Sequence, residues 1–221
     1  ADRSYADAER EGRHVARMLA RQRWLDLLVA VPALLFLAPL LLLAALAVAL
    51  TSRGPVLFRQ TRIGLHERPF TLFKFRTMHI DADHRAQMAM NRRELAGEAV
   101  AEQGLYKPAH DPRITPVGRV LRQSSIDELP QLINVIRGEM SIVGPRPALP
   151  WEVELFTAEE RRRHECRPGI TGVWQVSGRN RLSMRTMLAL DLLYVRYRSL
   201  RLDLWVLLRT PRAVLIERAT R

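Results

Sequence analysis

From Leu27 to Leu50 the chain carries twenty-four consecutive residues without a charge. As a helix rising ~1.5 Å per residue, that run is long enough for a bilayer core of ~30 Å. Pro39 stands near its middle and Pro32 one turn from its start; each removes a backbone hydrogen bond and presses on the preceding turn, which predicts a bend. Arg10, Arg13, Arg17, Arg21 and Arg23 flank the run on one side, and Arg53, Arg59, Arg62 and Arg68 on the other. Flanks this balanced give no positive-inside bias, so the pattern predicts a re-entrant helical hairpin broken at Pro39, with both ends on the cytoplasmic side. A plain single span, a buried core helix and a cleaved signal ending at Ala47-Val48-Ala49 are the alternatives. The run is too long for a signal and too uniformly apolar for an ordinary core helix.

After the run, the period of the pattern changes from helical to alternating. Residues 54–78 read as two strands around a turn at Gly64. In the second, Phe70, Leu72, Lys74 and Arg76 alternate with Thr71, Phe73, Phe75 and Thr77, which sends two cations to one face. Residues 79–105 read as a polar helix, a cover or insert. Its Asp81-Ala82-Asp83 matches the DxD pattern of many glycosyltransferases, although helix capping also accounts for an Asp there.

Thr115-Pro116 opens a short helix that carries Arg119 and Arg122 toward the next element. Leu129, Leu132, Ile133 and Ile136 then follow helical spacing, and Gly138 supplies the stop. Proline is tolerated only in a first turn, so Pro130 sets this helix to start near Asp127, with Ser125 and Glu128 as a capping box. Asp127 and Glu128 therefore sit together at a helix N-terminus, where the dipole favours negative charge. Downstream, Gly144-Pro145-Arg146-Pro147 holds an arginine on a stiff loop suited to bidentate contact with phosphate. Thr157 with Glu160 starts a charged helix. The stretch RPGITGVWQVSGRN reads as turn, strand and turn, with Gln175, Arg179 and Asn180 available to a base or pyrophosphate and Trp174 in the core. The last forty residues are rich in leucine and arginine, a pattern of amphipathic helices lying in a headgroup layer.

Composition sharpens the candidate chemistry. The net charge is +12 and the pI about 11.2, which favours polyanions or an anionic membrane surface as partners. All basic residues but Lys74 and Lys107 are arginine. Nucleic acid would explain the charge but not the uncharged run, and no nucleic-acid reading motif is present. The single Cys166 rules out an internal disulfide, and no His or Cys cluster offers a zinc site.

Taken in order, the apolar run, FKFRTM, DPRITPVGRVLRQSSIDELPQLINVIRGEMSIVGPRP, RPGITGVWQVSGRN, Asp191 and Tyr194 resemble the bacterial sugar transferase family, the monotopic polyprenol-phosphate phosphoglycosyl transferases. The resemblance implies a mostly helical α+β fold: a monotopic membrane protein with an N-terminal re-entrant helical hairpin, a small β-hairpin and amphipathic interfacial helices. It divides the chain into a basic interfacial segment (1–26), a re-entrant membrane helix (27–50) and a cytoplasmic catalytic domain (51–221) at the bacterial inner membrane. The implied reaction moves a sugar 1-phosphate from a UDP-sugar to polyprenol phosphate. The family's catalytic pair falls on Asp127 and Glu128, and Lys74, Arg122, Arg146, Arg179 and Asp191 fall on other positions of its active site. With Arg76 and Gln175 read from their own surroundings, these complete the expected substrate-binding set.

Asp127 is expected as the nucleophile and Glu128 as base or metal ligand, with Mg2+ held between the pair and substrate phosphate. Two features depart from the family: the helix break is Ala38-Pro39 where Ser-Pro is common, and residues 1–24 are too few for the N-terminal spans and nucleotide-binding-like domain of larger members. The wording around VWQVSGRN is closest to the single-domain hexose 1-phosphate transferases that initiate exopolysaccharide or O-antigen synthesis. The rival readings are a conventional glycosyltransferase using Asp81 and Asp83, which would release UDP, and a membrane scaffold without catalysis. The sequence leaves the sugar and the oligomeric state open, a homo-oligomer included.

Overall fold

The computed structural model describes residues 2–80, 88–89, 92–94, 111–178 and 182–219, with side chains between residues 20 and 214. It is mostly helical with two small two-stranded sheets. The first element, α1, is a single helix, Asp2–Thr51, with Pro32 and Pro39 inside it. The break expected at Pro39 does not interrupt it. Ala20–Thr51 is the one stretch among the described residues long and apolar enough to cross a membrane.

The packing of α1 explains why it continues. Ala30, Ala33 and Leu34 pack with Leu72, Leu132, Val135 and Met140, while Leu41, Ala44, Ala45 and Val48 pack with Val56, Phe75, Val117 and Leu121. These positions recur every three or four residues, so one stripe of α1 lies along the body of the protein throughout the apolar run. Both prolines are exposed on the opposite side. There the missing N–H and the ring of each proline disturb the solvent side of α1 and leave its packed stripe intact. Arginines secure two helix ends here: Arg76 donates to the carbonyls of Ser52, Arg53 and Gly54 just past α1, and Arg23 of α1 donates to Val135 and Ile136.

The expected hairpin is present as β1 (Leu57–Ile63) against β2 (Pro69–Phe75), antiparallel with Phe58 opposite Lys74 and Arg62 opposite Phe70. Next, α2 (Pro116–Gln123) is capped by the Thr115 hydroxyl, which accepts from the Gly118 N–H at 2.9 Å. The following helix differs from expectation. Residues Ile126–Glu128 form a 3-10 turn, and α3 proper is Gln131–Arg137. Pro130 has no N–H to bond back to residue 126, so the chain closes with shorter bonds, Leu129 N–H to Ile126 and Leu132 N–H to Leu129. Ser125 is left-handed (φ 56°) and its side chain caps nothing, so the expected capping box is absent. Gly138 ends α3 at φ 80°, as expected.

The parallel pair β3 (Ser141–Val143) and β4 (Gly169–Thr171) is joined by α4 (Pro150–Glu154) and α5 (Ala158–Arg161), where the Thr157–Glu160 capping box does form. Of the strand expected within RPGITGVWQVSGRN, Gly169–Thr171 forms as β4, and Val173–Ser177 is instead a helix, α6. Trp174 and Cys166 are buried, and burial pushes the Cys166 thiol up to about 12. The chain finishes with α7 (Met184–Tyr197) and α8 (Leu200–Ala219). Leu193, Tyr197, Leu200, Leu204, Trp205 and Leu208 project outward from these two helices, interspersed with exposed Arg196, Arg201, Arg209 and Arg212.

Candidate active site

The 3-10 turn carries Asp127 and Glu128 over one face of the β-hairpin. Alternation along β2 directs Phe70 and Leu72 into the core and Lys74 toward the carboxylates; Arg62 stands on the same face of β1. Asp127 is buried at 7% exposure, while Glu128 is half-buried. Desolvation and then the Glu128 charge raise the Asp127 carboxyl to about 7, against the opposing pull of Lys74 and Arg122. Lys74 packs its ammonium 5.2 Å from the Phe58 ring centre. Burial, followed by repulsion from Arg62, pushes that ammonium down to about 8 while Asp127 and Glu128 hold it up. Burial thus draws together the titration ranges of an acid and an amine that face each other.

A second group of charges adjoins this pair through Arg62. Its guanidinium is buried and donates to the Pro147 carbonyl at 2.8 Å and to Gln60 Oε1 at 2.7 Å. Beside it, Arg146 Nη1 lies 3.3 Å from Glu152 Oε1; Glu152 has 1% of its side chain exposed and Arg146 36%. Burial alone would raise Glu152, but Arg146, the Leu149 N–H, Arg62 and Arg163 together hold it below its ordinary value. Further in, Arg163 pairs with Asp191, and both are buried. Burial lifts the Asp191 carboxyl to about 6 against the attraction of Arg163 and Arg146.

Lys74, Arg122, Asp127 and Glu128 are therefore brought together, and Arg146 joins them through Arg62 and Glu152. Other expected substrate contacts are placed elsewhere. Arg76 is occupied at the end of α1, because it lies past the last residue of β2 and the helix carbonyls there need donors. Gln175 donates its amide to the Ile170 carbonyl at 2.9 Å, which ties α6 to β4. Asp191 is enclosed behind Arg146, in a small cavity shared with Trp174, Met184, Met187 and Leu188. Arg179, Asn180, Asp81 and Asp83 lie outside the described residues. Sequence reasoning missed Arg62, Glu152 and Arg163. Strand alternation places Arg62 with Gln60 and Phe58 on the Lys74 face, and Pro150 at a helix start with Glu152 two residues on is a capping signal. Arg163 is hidden in the run Arg161-Arg162-Arg163.

The chemistry of the donor set suits an oxygen-seeking divalent cation. No cluster of three or more His, Cys, Asp or Glu side chains is present among the described residues. A cation would relieve the repulsion that the Glu128 charge exerts on Asp127, and Mg2+ commonly takes one or two carboxylates plus substrate phosphates and water.

A carboxylate pair that faces Lys74, Arg122 and buried Arg62, set beside an apolar helix, is an arrangement suited to an anionic, phosphate-bearing ligand. The bacterial sugar transferase family matches residues 17–217. The exopolysaccharide production protein ExoY of Sinorhizobium fredii is 42% identical over 199 residues, covering 90% of this chain and 87% of that protein. The UDP-glucose:undecaprenyl-phosphate glucose-1-phosphate transferase of Caulobacter vibrioides is 44% identical over 203 residues, 88% of this chain and 70% of that protein. The undecaprenyl-phosphate galactose phosphotransferase of Salmonella typhimurium is 35% identical over 202 residues, 88% of this chain and 40% of that protein. The chain belongs to the bacterial sugar transferase family.

Proposed function

We propose that this enzyme transfers a hexose 1-phosphate from a UDP-hexose to undecaprenyl phosphate, releasing UMP, as the initiating step of a bacterial polysaccharide. The observation that carries the reading is the Asp127–Glu128 pair facing Lys74, Arg62 and Arg122, combined with family membership and relatives named for this transfer. An ionised Asp127 oxygen attacks the sugar-bearing phosphorus, and the bond from that phosphorus to the bridging oxygen of UMP breaks. A phosphate oxygen of the lipid then attacks the same phosphorus and breaks its bond to Asp127, returning the carboxylate. The sugar's anomeric carbon–oxygen bond is untouched, so its configuration is retained.

Lys74 and Arg122 counter the charge that gathers on the phosphoryl oxygens, and burial strengthens their effect. Arg146 grips phosphate as a planar fork. When bound between Asp127 and Glu128, Mg2+ would neutralise diphosphate charge and favour the ionised form of Asp127.

For the membrane, the same proposal has α1 lying in one leaflet of the inner membrane, with Leu28, Leu35, Phe36, Leu42, Leu43 and Leu50 toward lipid and both ends of the run on the cytoplasmic side. The packing of a stripe from Ala30 to Val48 on the domain supports this reading, because a crossing along the bilayer normal would leave the middle of the run facing lipid on all sides. The outward apolar residues of α7 and α8 rest on the same leaflet, and their arginines meet anionic headgroups.

Incubation with undecaprenyl phosphate, Mg2+ and a panel of UDP-hexoses in detergent tests the reading. It predicts UMP release with at least one donor. Release of UDP in its place would move the protein to the conventional glycosyltransferases.

A further inference from the structure

We infer that Arg163 and Asp191 are positioning residues: a buried clamp that fixes the Gly144–Leu149 loop so that Arg146 alone is presented to phosphate. The inference rests on the reading of Arg146 as a phosphate ligand and reassigns Asp191 from substrate contact to support. Its basis is the bonding of the loop's backbone. The Gly144 N–H donates to Thr171, the Pro145 carbonyl accepts from Gly169 at 2.8 Å, and the Ala148 carbonyl accepts from Ile63 at 2.9 Å. Arg163 donates to the Arg146 carbonyl at 2.7 Å and pairs with the Asp191 carboxylate, which lies beside the Arg146 backbone. Arg62 takes the Pro147 carbonyl, and the Leu149 N–H donates to Glu152 at 2.7 Å. Pro145 and Pro147 have no N–H to satisfy. From Gly144 to Ala148, Arg146 is the one residue that is not buried.

Two physical arguments separate a clamp from a ligand. Asp191 has 1% of its surface exposed, so in this arrangement it is not placed to meet a substrate as Arg146 is. A buried ion pair, moreover, is a poor way to gain stability, because desolvating both ions offsets their attraction and an apolar pair of similar volume does as well or better. What the pair supplies here is direction: Arg163 bonds the carbonyl of Arg146, and Asp191 holds the Arg163 guanidinium in place to do so. That bond fixes the peptide plane that follows Arg146.

The test is a double-mutant cycle read in UMP release, with hydrogen exchange of the loop as a readout independent of activity. Asp191→Asn should raise exchange in 144–149 and lower kcat/KM by about 10- to 100-fold, the scale of a misplaced positioning group. In an Arg146→Ala background the same substitution should cost no further activity, because it acts through the side chain already removed. Independent, multiplicative losses would overturn the inference and return Asp191 to direct contact, as would full activity in Asp191→Asn. If that variant fails to fold, Arg163→Met with Asp191→Leu replaces the pair by apolar volume and carries the same cycle. That double variant should fold yet remain impaired, and full activity in it would equally overturn the clamp. A parent enzyme that releases no UMP would instead count against the proposed function, and the exchange experiment would still report on the clamp.

Discussion

Lys74 is one of two lysines in a chain whose other cations are arginines, and its surroundings give a reason for the choice. Arginine remains charged at any physiological pH, whereas a desolvated ammonium can titrate. With Asp127 lifted to about 7 and Lys74 lowered to about 8, the free enzyme has a narrow window in which the acid is ionised and the amine still protonated. The sign follows directly. As pH rises through about 7 Asp127, the proposed nucleophile, gains its charge and kcat/KM should climb; above about 8 Lys74 loses its charge and kcat/KM should fall. Lys74→Arg should abolish the alkaline limb while keeping the acid limb, and a pH profile of UMP release checks this. An unchanged alkaline limb would assign it to another group. At the neighbouring loop, Arg146→Lys should fold normally yet lose about 10-fold or more in kcat/KM, because a point charge keeps attraction but not the paired geometry. Wild-type turnover in that variant would reduce Arg146 to a structural residue.

Among the elements, those defined by local patterns were legible in the sequence and those defined by a distant partner were not. Alternation showed the β-hairpin, and Thr115-Pro116, Thr157 with Glu160 and Gly138 marked helix ends, because each signal lies within a few residues of what it controls. The 3-10 turn at Asp127 was misread, and the strand expected in RPGITGVWQVSGRN is confined to Gly169–Thr171, with a helix after it. The first depends on how Pro130 forces the bonding before it. The same distance explains the site: Lys74, Asp127, Glu128 and Arg146 were legible as motifs, whereas Arg62 and Arg163 act through backbone carbonyls 85 and 17 residues away. The closest approach in this region gives a direct test. A side chain at Gly144 would place its first carbon 2.4 Å from the Arg167 carbonyl and 2.8 Å from the Gly169 nitrogen, both backbone atoms that cannot move aside. Gly144→Ala should therefore separate β3 from β4, destabilise by about 1–3 kcal/mol as overpacking does, and reduce activity through the Arg146 loop. Thermal melting and UMP release would read the two effects.

For the molecule as a whole, α1 sets the relation between chemistry and membrane. The apolar run and its prolines were plain in the sequence. Its full-length packing against the domain was not, because the stripe of Ala30, Leu34, Leu41, Ala44 and Val48 is no more apolar than the face left outside. Both ends of the run touch the same body: Arg23 holds the end of α3, and Arg76 holds the end of α1. Arg21→Cys and Arg53→Cys should accordingly be labelled from the same side of the membrane. Cys166 is buried with its thiol pushed up to about 12, so it contributes little background. Labelling from opposite sides would establish a span and contradict the packing.

The central claim is that Asp127 forms a covalent bond to the phosphosugar, and intact-protein mass spectrometry tests it most directly. After incubation with a UDP-hexose accepted in the panel and Mg2+, without lipid acceptor, the account predicts a mass increase of one hexose phosphate that maps to Asp127. Asp127→Asn should show neither this adduct nor UMP release, while Glu128→Gln should slow its formation. An enzyme that turns over with both substrates yet leaves no adduct on acid quench, or one whose adduct maps to another residue, would contradict the claim.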